Sequence, residues 1–151
     1  MNYLRKKIWL NEKQSKYCWV KLFADKKEMQ QYYYDYDKKG GLIDGNHFKV
    51  KGVSLHYRRI QNKRSHPETG TVLLCFQECG AGVVAHELMH AVLWARGHHQ
   101  NKKQYPIVIK NMQQEETLLH NHTYAIKQFY NWYWDVEDKF KKGTSKHKKI
   151  A

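Results

Sequence analysis

The sequence has no long apolar run. Residues 1–16 begin with basic side chains but lack the apolar stretch of a secretory signal, and no later segment approaches the ~20 apolar residues that cross a bilayer. Membrane-spanning and secreted proteins are therefore not expected. We predict a soluble protein in the cytoplasm.

Proline and cysteine are also scarce. Pro67 and Pro106 are the only two prolines in 151 residues, too few to mark a flexible linker. The three cysteines, Cys18, Cys75 and Cys79, are odd in number, and three residues separate the last two, where redox and zinc-knuckle pairs have two. We predict reduced thiols and a single domain that is stabilised by its core rather than by disulfides.

Acidic residues are few: 14 Asp and Glu against 27 Lys and Arg give a formal net charge of +13. Such a charge attracts nucleic acids and other polyanions without specificity. It is densest in residues 139–149, which contain six lysines and no acid. We predict one domain over residues 1–140 and a basic flexible tail over 141–151, with nucleic-acid contact through the basic surface and tail.

Strand and helix patterns alternate along the chain. Residues 17–23 and 71–78 are rich in apolar residues and predict strands, and residues 47–60 alternate around Gly52 as a hairpin or bent strand pair does. Helical periodicity covers residues 24–39, 81–97 and 108–140. Because the connections between strands read as too short for helical crossovers, we predict an α+β fold with a small, mostly antiparallel sheet packed on two successive helices.

One predicted helix, GVVAHELMHAVLWARG at residues 82–97, contains two histidines four residues apart. Positions four apart lie on one face of a helix, so His86 and His90 can reach the same zinc ion, while Glu87 lies about 100° away beside it. The alternative is a core helix whose histidines are satisfied by hydrogen bonds. That alternative buries two titrating groups and an acid without gain, so we favour the metal site.

The segment HELMH at residues 86–90 matches H-E-x-x-H, and here the sequence resembles the zincin metallopeptidases. The metzincin branch requires glycine and histidine where this chain has Leu93 and Arg96, and His98 and His99 do not fit that spacing. The gluzincin branch takes its third ligand from a glutamate on a second helix downstream. In size and organisation the chain resembles the minimal zincin-like domains of phages and mobile elements.

The resemblance to gluzincins implies that Glu116 or Glu115 completes a Zn²⁺ site with His86 and His90. We favour Glu116, because His120 lies four residues later and could support Glu116 or a histidine ligand from a second layer of contacts. Glu115 is the alternative third ligand, and an all-histidine site that uses His120 or His122 is another. The two glutamates lie on different helix faces: Glu116 with Met112, Leu119, Thr123, Ile126 and Tyr130, and Glu115 with Leu118, His122, Ala125 and Phe129.

The resemblance also implies a reaction, the hydrolysis of peptide bonds with Glu87 as the general base toward a zinc-activated water. The oxyanion needs a further donor, for which Tyr105, His120 and Tyr124 are candidates. Zincins hold an extended peptide substrate along an edge strand beside the metal helix, and residues 71–78 directly precede that helix. Core packing explains the composition of this strand equally well.

Two other classes of function compete with the enzyme. The chain could be a basic nucleic-acid-binding protein, or a protein-interaction module, whose zincin site is structural or degenerate. The segment FYNWYWD at residues 129–135 has five aromatics, but at helical spacing it predicts core packing rather than base stacking. Glu87 favours the enzyme, because neither a structural zinc site nor packing requires it.

Overall fold

The fold is given by a computed structural model that describes residues 3–41, 45–56, 67–96 and 111–150, with side chains up to residue 140. The fold is α+β, as the sequence predicts: these ranges contain one four-stranded sheet, three helices and a 3-10 turn at Phe76–Glu78. The elements in chain order are β1 (Tyr3–Trp9), β2 (Tyr17–Phe23), α1 (Lys26–Lys39), β3 (Gly52–His56), β4 (Glu68–Cys75), α2 (Ala81–Ala95) and α3 (Met112–Ile150).

The sheet is mixed, which corrects the prediction of a mostly antiparallel one. Its strand order is β1-β2-β4-β3; β1 pairs antiparallel with β2 and β3 pairs antiparallel with β4, but the central pair, β2 and β4, is parallel. The path from β2 to β4 runs through α1 and β3, so it is long enough for a crossover between parallel strands. The prediction was wrong because it judged each short connection separately.

Strand β1 was not predicted. Its alternation is obscured by the consecutive cations Arg5, Lys6 and Lys7, yet Ile8 is fully buried and the whole strand pairs with β2. Charged residues are ordinary on a strand at a sheet edge, where they discourage pairing with other chains. The cations that obscure the alternation of β1 in the sequence are therefore typical of a strand at the edge of a sheet.

The predicted strand pair over residues 47–60 is a single strand in the described residues, and β3 begins only at Gly52. The preceding segment is tied to α1 instead of to a strand. The buried His47 contacts Asp37 at 2.7 Å, and Gln30 donates a hydrogen bond to the Val50 carbonyl at 2.9 Å. Residues 57–60 of the prediction lie outside the described residues.

Helices cover both faces of the sheet. On one face α1 packs Met29 against Phe23, Val53 and Leu73. On the other face α2 and α3 form the larger core with alternate residues of every strand except β3, and its members are fully or almost fully buried. They include Ile8, Val20, Leu22, Val72, Leu74, Leu88, Ala91, Ala125 and Phe129.

The two predicted helices after the sheet are present. α3 continues through most of residues 141–151, the segment predicted as a flexible tail, so no helix end marks residue 140. In the aromatic cluster at 129–135, Phe129 and Tyr133 are buried and Trp134 is 61 % exposed, as packing at a core and its boundary requires. No helix in the described ranges is both long and apolar enough to cross a membrane.

Gln128 joins α3 to the edge strand β1. Its side-chain oxygen accepts a hydrogen bond from the Trp9 backbone N–H at 2.9 Å, and its nitrogen donates to the Trp9 carbonyl at 2.8 Å. Because Gln128→Ala leaves two partly buried backbone groups without these partners, we expect it to lower the free energy of unfolding by about 1–3 kcal/mol. Urea denaturation measures this, and Lys127→Ala, an exposed neighbour, is the matched control. Equal stability of the two variants contradicts the prediction.

Candidate metal centre

The two histidines of the H-E-x-x-H segment lie side by side on α2. Their Nε2 atoms are 3.2 Å apart, and the rings are close to perpendicular, at 80° with centroids 4.8 Å apart. Two nitrogens held about 2.0–2.1 Å from one tetrahedral zinc ion stand about 3.3 Å apart. The separation between His86 and His90 therefore fits two ligands of the same ion.

Glu87 is largely buried, whereas the neighbouring His86 is exposed to solvent. The His86 side chain is 67 % exposed, whereas that of Glu87 is 11 % exposed, although its Oε1 is only 3.9 Å from His86 Nε2. This contrast follows from the ~100° rotation between neighbouring helical residues. The carboxylate thus approaches the histidine pair from the protein interior.

Titration of both groups is shifted by burial. The pKa of Glu87 lies above its ordinary value because burial disfavours the charged carboxylate, and His86 offsets part of this rise. The pKa of His90 lies below its ordinary value, first because of burial and then because of the neighbouring His86. A neutral imidazole is the form that binds a metal, so the shift at His90 favours a ligand role.

Strand β3 approaches α2 very closely at Glu87. A Cβ atom on Gly52 would stand 3.1 Å from Glu87 Cγ, 3.1 Å from Val83 Cγ1 and 3.2 Å from Leu74 Cδ2. Two residues later, the Ser54 hydroxyl donates a hydrogen bond to the Glu87 carbonyl at 3.2 Å. The absence of a side chain at residue 52 therefore lets β3 lie against Glu87, the residue that the sequence predicts as a general base.

Two clefts flank Glu87 between β3 and α2, and together we call them the β3–α2 groove. One has a volume of about 370 Å³ and is lined by His86; the other, of about 400 Å³, is lined by His90. Both volumes are within the range of small-molecule sites. The clefts share Val50, Gly52 and Glu87; the first adds Lys51, Gly82 and Val83, and the second adds Tyr33, Val53, Ser54 and Trp94.

The edge strand beside this groove is β3. The resemblance to zincins suggested residues 71–78 for that position, but β4 lies between β2 and β3, and residues 76–78 form the 3-10 turn. That suggestion was wrong, because a strand next to α2 in sequence is not the strand next to it at the sheet edge. A glycine inside an alternating strand indicates that another element approaches the backbone closely. Gly52 in the sequence therefore indicates a close approach to the strand at this residue.

The predicted third ligands lie at the start of α3, in solvent. Glu115 is exposed, and the Glu116 side chain is 58 % exposed, with its Oε2 3.5 Å from Nε2 of His120. His120 is therefore a neighbour of Glu116, and its role in a second layer of contacts around a metal stays a prediction. Within the ranges that the structure describes, however, no three His, Cys, Asp or Glu side chains come together as a metal-binding group. The histidine pair fits zinc, and the third ligand stays a prediction.

His122, considered as a metal ligand in the sequence, instead makes a contact between α3 and α2. Its Nε2 lies 2.9 Å from the carbonyl oxygen of Ala85, so it joins α3 to α2 one residue before His86. It lies on the inward face of α3 with the buried Leu118, Ala125 and Phe129. We infer that His122 positions α2. In the sequence, this role is indicated by the helix face that His122 shares with apolar residues.

The two candidate oxyanion donors that the structure describes, Tyr124 and His120, do not line the groove. Tyr124 accepts a hydrogen bond from Gln14 Nε2 at 3.0 Å, in the loop between β1 and β2. His120 contacts Glu116 on the exposed side of α3, and Tyr105 lies outside the described residues. Neither Tyr124 nor His120 is among the described residues that line the two clefts.

Cys18, Cys75 and Cys79 are free thiols in the structure. Burial raises the pKa of Cys18 to about 12 and that of Cys79 to about 12, and it also raises the pKa of Cys75. Cys79 Sγ donates to the Cys75 carbonyl at 3.2 Å. A raised pKa disfavours the thiolate, which is the form of cysteine that binds a metal.

Comparison of the chain with protein-family models, with curated proteins and with solved structures finds no match in any of the three. The geometry of the groove and the H-E-x-x-H segment therefore carry the functional argument alone.

Proposed function

We propose that this protein is a zinc-dependent metallopeptidase of the zincin type. The observation that carries the proposal is the pair of histidine Nε2 atoms at 3.2 Å with a buried carboxylate, Glu87, next to them in an open groove. Packing alone does not require a carboxylate at that place, since burying it without a chemical role costs free energy. The free thiols agree with a cytoplasmic location, which is part of the same proposal.

In this proposal His86 and His90 would hold the zinc ion together with Glu116, or with Glu115 in its place. When bound there, zinc would polarise the substrate carbonyl and make water a stronger nucleophile. Glu87 accepts the proton of the attacking water and delivers it to the leaving amine. Burial suits Glu87 to this task, because a carboxyl with a raised pKa gives up its proton less readily and can carry it between the two steps.

The substrate is proposed to be an extended peptide along the free edge of β3. Among the described strands, β3 pairs only with β4, so its other edge is available for main-chain hydrogen bonds to a peptide. The two clefts lie on either side of Glu87 and can take side chains on both sides of the scissile bond. The cleft at His90 has aromatic walls, Tyr33 and Trp94, which favour an apolar side chain there.

Zinc binding tests the metal centre directly. We expect one zinc ion per chain, lost in His86→Ala and His90→Ala, and a Kd for zinc at least about 10-fold higher in Glu116→Gln than in wild type. Glu115→Gln is the matched control, since it removes the same charge from an adjacent exposed residue. Metal analysis and competition with a chelator give the affinities.

The outcomes separate the two glutamates and the competing functions. Loss in Glu115→Gln alone assigns the third ligand to Glu115, and no effect of either variant contradicts a gluzincin-type site. Zinc content near zero in wild type overturns the metal centre. Full zinc content without cleavage of any member of a diverse peptide library favours the protein-interaction module.

A further inference from the structure

The face of the sheet that carries α1 is only partly covered by it. Residues with odd numbers in β1 and β2 point to this face, because the even-numbered Ile8, Cys18, Val20 and Leu22 belong to the core with α2 and α3. α1 covers the end where Tyr32 contacts Tyr3 and Phe23. The other end of the same face leaves Trp9, Tyr17 and Trp19 partly exposed.

These three rings form a continuous aromatic surface across two strands. The rings of Trp9 and Tyr17 have centroids 5.4 Å apart, and those of Tyr17 and Trp19 are 6.1 Å apart, both edge to face. Trp9 pairs with Tyr17 across the strands. Because all three side chains stand on paired β-strands, their relative positions are fixed by the sheet rather than by a loop.

Two cations lie on this aromatic surface. The guanidinium of Arg5 is 4.6 Å from the centroid of the Trp19 ring, and Lys7 Nζ is 4.2 Å from that of Tyr17 and 4.8 Å from that of Trp9. Within the described part of the chain, neither cation has a carboxylate partner. Their positive charge is therefore available to an anionic ligand.

Aromatic rings and cations next to one another on a sheet face match the chemistry of single-stranded nucleic acid. Exposed bases stack on aromatic side chains with little sequence preference, and lysine and arginine bind the phosphates between them. A duplex keeps its bases stacked inside and cannot use the rings in this way. A membrane surface favours side chains that project from a loop or an amphipathic helix, whereas these rings lie within a sheet face.

We propose that this surface, formed by Arg5, Lys7, Trp9, Tyr17 and Trp19, binds single-stranded nucleic acid. Bases stack on the indole rings, and Arg5 and Lys7 move from the rings to the phosphates. The net charge of +13 draws the polyanion to the protein. The surface is on the opposite side of the sheet from α2, so binding there does not depend on the metal centre.

The test is the binding of fluorescent oligonucleotides of about 12 nucleotides, poly-dT and poly-U, to the full chain. We expect Arg5→Gln/Lys7→Gln to weaken binding by roughly 10- to 25-fold at 0.1 M salt and to lower the salt slope by about 1.4, from two lost phosphate contacts. Trp19→Leu, which keeps an apolar strand residue, is expected to weaken binding roughly 5- to 150-fold through lost stacking. Poly-dT and poly-U together show whether DNA or RNA is preferred.

The control variant Lys13→Gln/Lys127→Gln removes the same charge from two exposed positions elsewhere and is expected to bind within about 3-fold of wild type. Glu87→Gln is also expected to bind like wild type, which separates this proposal from the metallopeptidase. Equal losses in the two double variants indicate non-specific charge attraction and overturn the proposal. The proposal is also overturned if Arg5→Gln/Lys7→Gln binds like wild type, or if a duplex binds as tightly as a single strand. It is overturned as well if the protein binds only vesicles of phosphatidylcholine with phosphatidylserine.

Discussion

Glu87→Gln is expected to lower kcat for peptide cleavage by about 10²–10⁴-fold while zinc content stays at the wild-type level, because a positioned general base contributes a factor of that size. The glutamine side chain has nearly the same shape as glutamate but cannot accept the proton of the attacking water. It also cannot disturb the histidine pair much, since Glu87 lies 3.9 Å from His86 and on another side of the helix. Loss of activity without loss of zinc is the signature of a base that is not a ligand.

Cleavage is measured on a diverse peptide library, and zinc by elemental analysis of the same samples. Glu12→Gln, which removes an equal charge from an exposed turn between β1 and β2, controls for the change in net charge. Wild-type cleavage rates in Glu87→Gln would show that the groove has no Glu87-dependent chemistry. Loss of zinc together with activity would mean that Glu87 acts mainly in the structure of the centre.

The part of the site that the sequence predicts well is the part that is local along the chain. A spacing of four residues in a helix is enough to bring His86 and His90 together, and the rotation to the next residue is enough to place Glu87 elsewhere. α2 itself follows from its apolar period, and it extends over Ala81–Ala95 within the predicted 81–97. Each of these inferences needs only the geometry of one helix.

The part that the sequence does not predict depends on how distant elements meet. The choice between Glu115 and Glu116 depends on which face of α3 turns toward α2 and at what height. The structure shows that the face shared by Glu115 is buried farther along the helix, at Leu118 and Phe129, while the face shared by Glu116 leaves Leu119 46 % exposed. At the level of Glu115 and Glu116 themselves both faces are open to solvent, so periodicity alone cannot rank the two.

The sheet shows the same limit. The parallel pairing of β2 with β4 and the edge position of β3 both follow from the whole path of the chain, not from any one strand. Once that path is known, the two faces acquire different chemistry. The edge of β3 lines the groove with Glu87, and the far side of β1 and β2 carries the aromatic and cationic surface.

Gly52→Val is expected to lower kcat/KM for peptides by about 100-fold, the size of effect that an ~1 Å misplacement of a catalytic group produces. Even the first added carbon would stand 3.1 Å from Glu87 Cγ, so either β3 or the Glu87 side chain must move. The branched side chain also fills space in both clefts, which share Gly52. Overpacking at such a contact lowers the free energy of unfolding by about 1–3 kcal/mol.

The matched control is Gly80→Val, since a Cβ at Gly80 would meet nothing within 4 Å and its backbone is extended. Zinc affinity separates the causes: the three atoms nearest to a Cβ on Gly52 belong to Glu87, Val83 and Leu74, so zinc binding should persist in Gly52→Val while cleavage falls. Activity is compared at a temperature where both variants are folded by circular dichroism. A kcat/KM equal to that of Gly80→Val would mean that the close approach of β3 to Glu87 has no part in catalysis. It would also contradict the proposal that the β3–α2 groove is the substrate site.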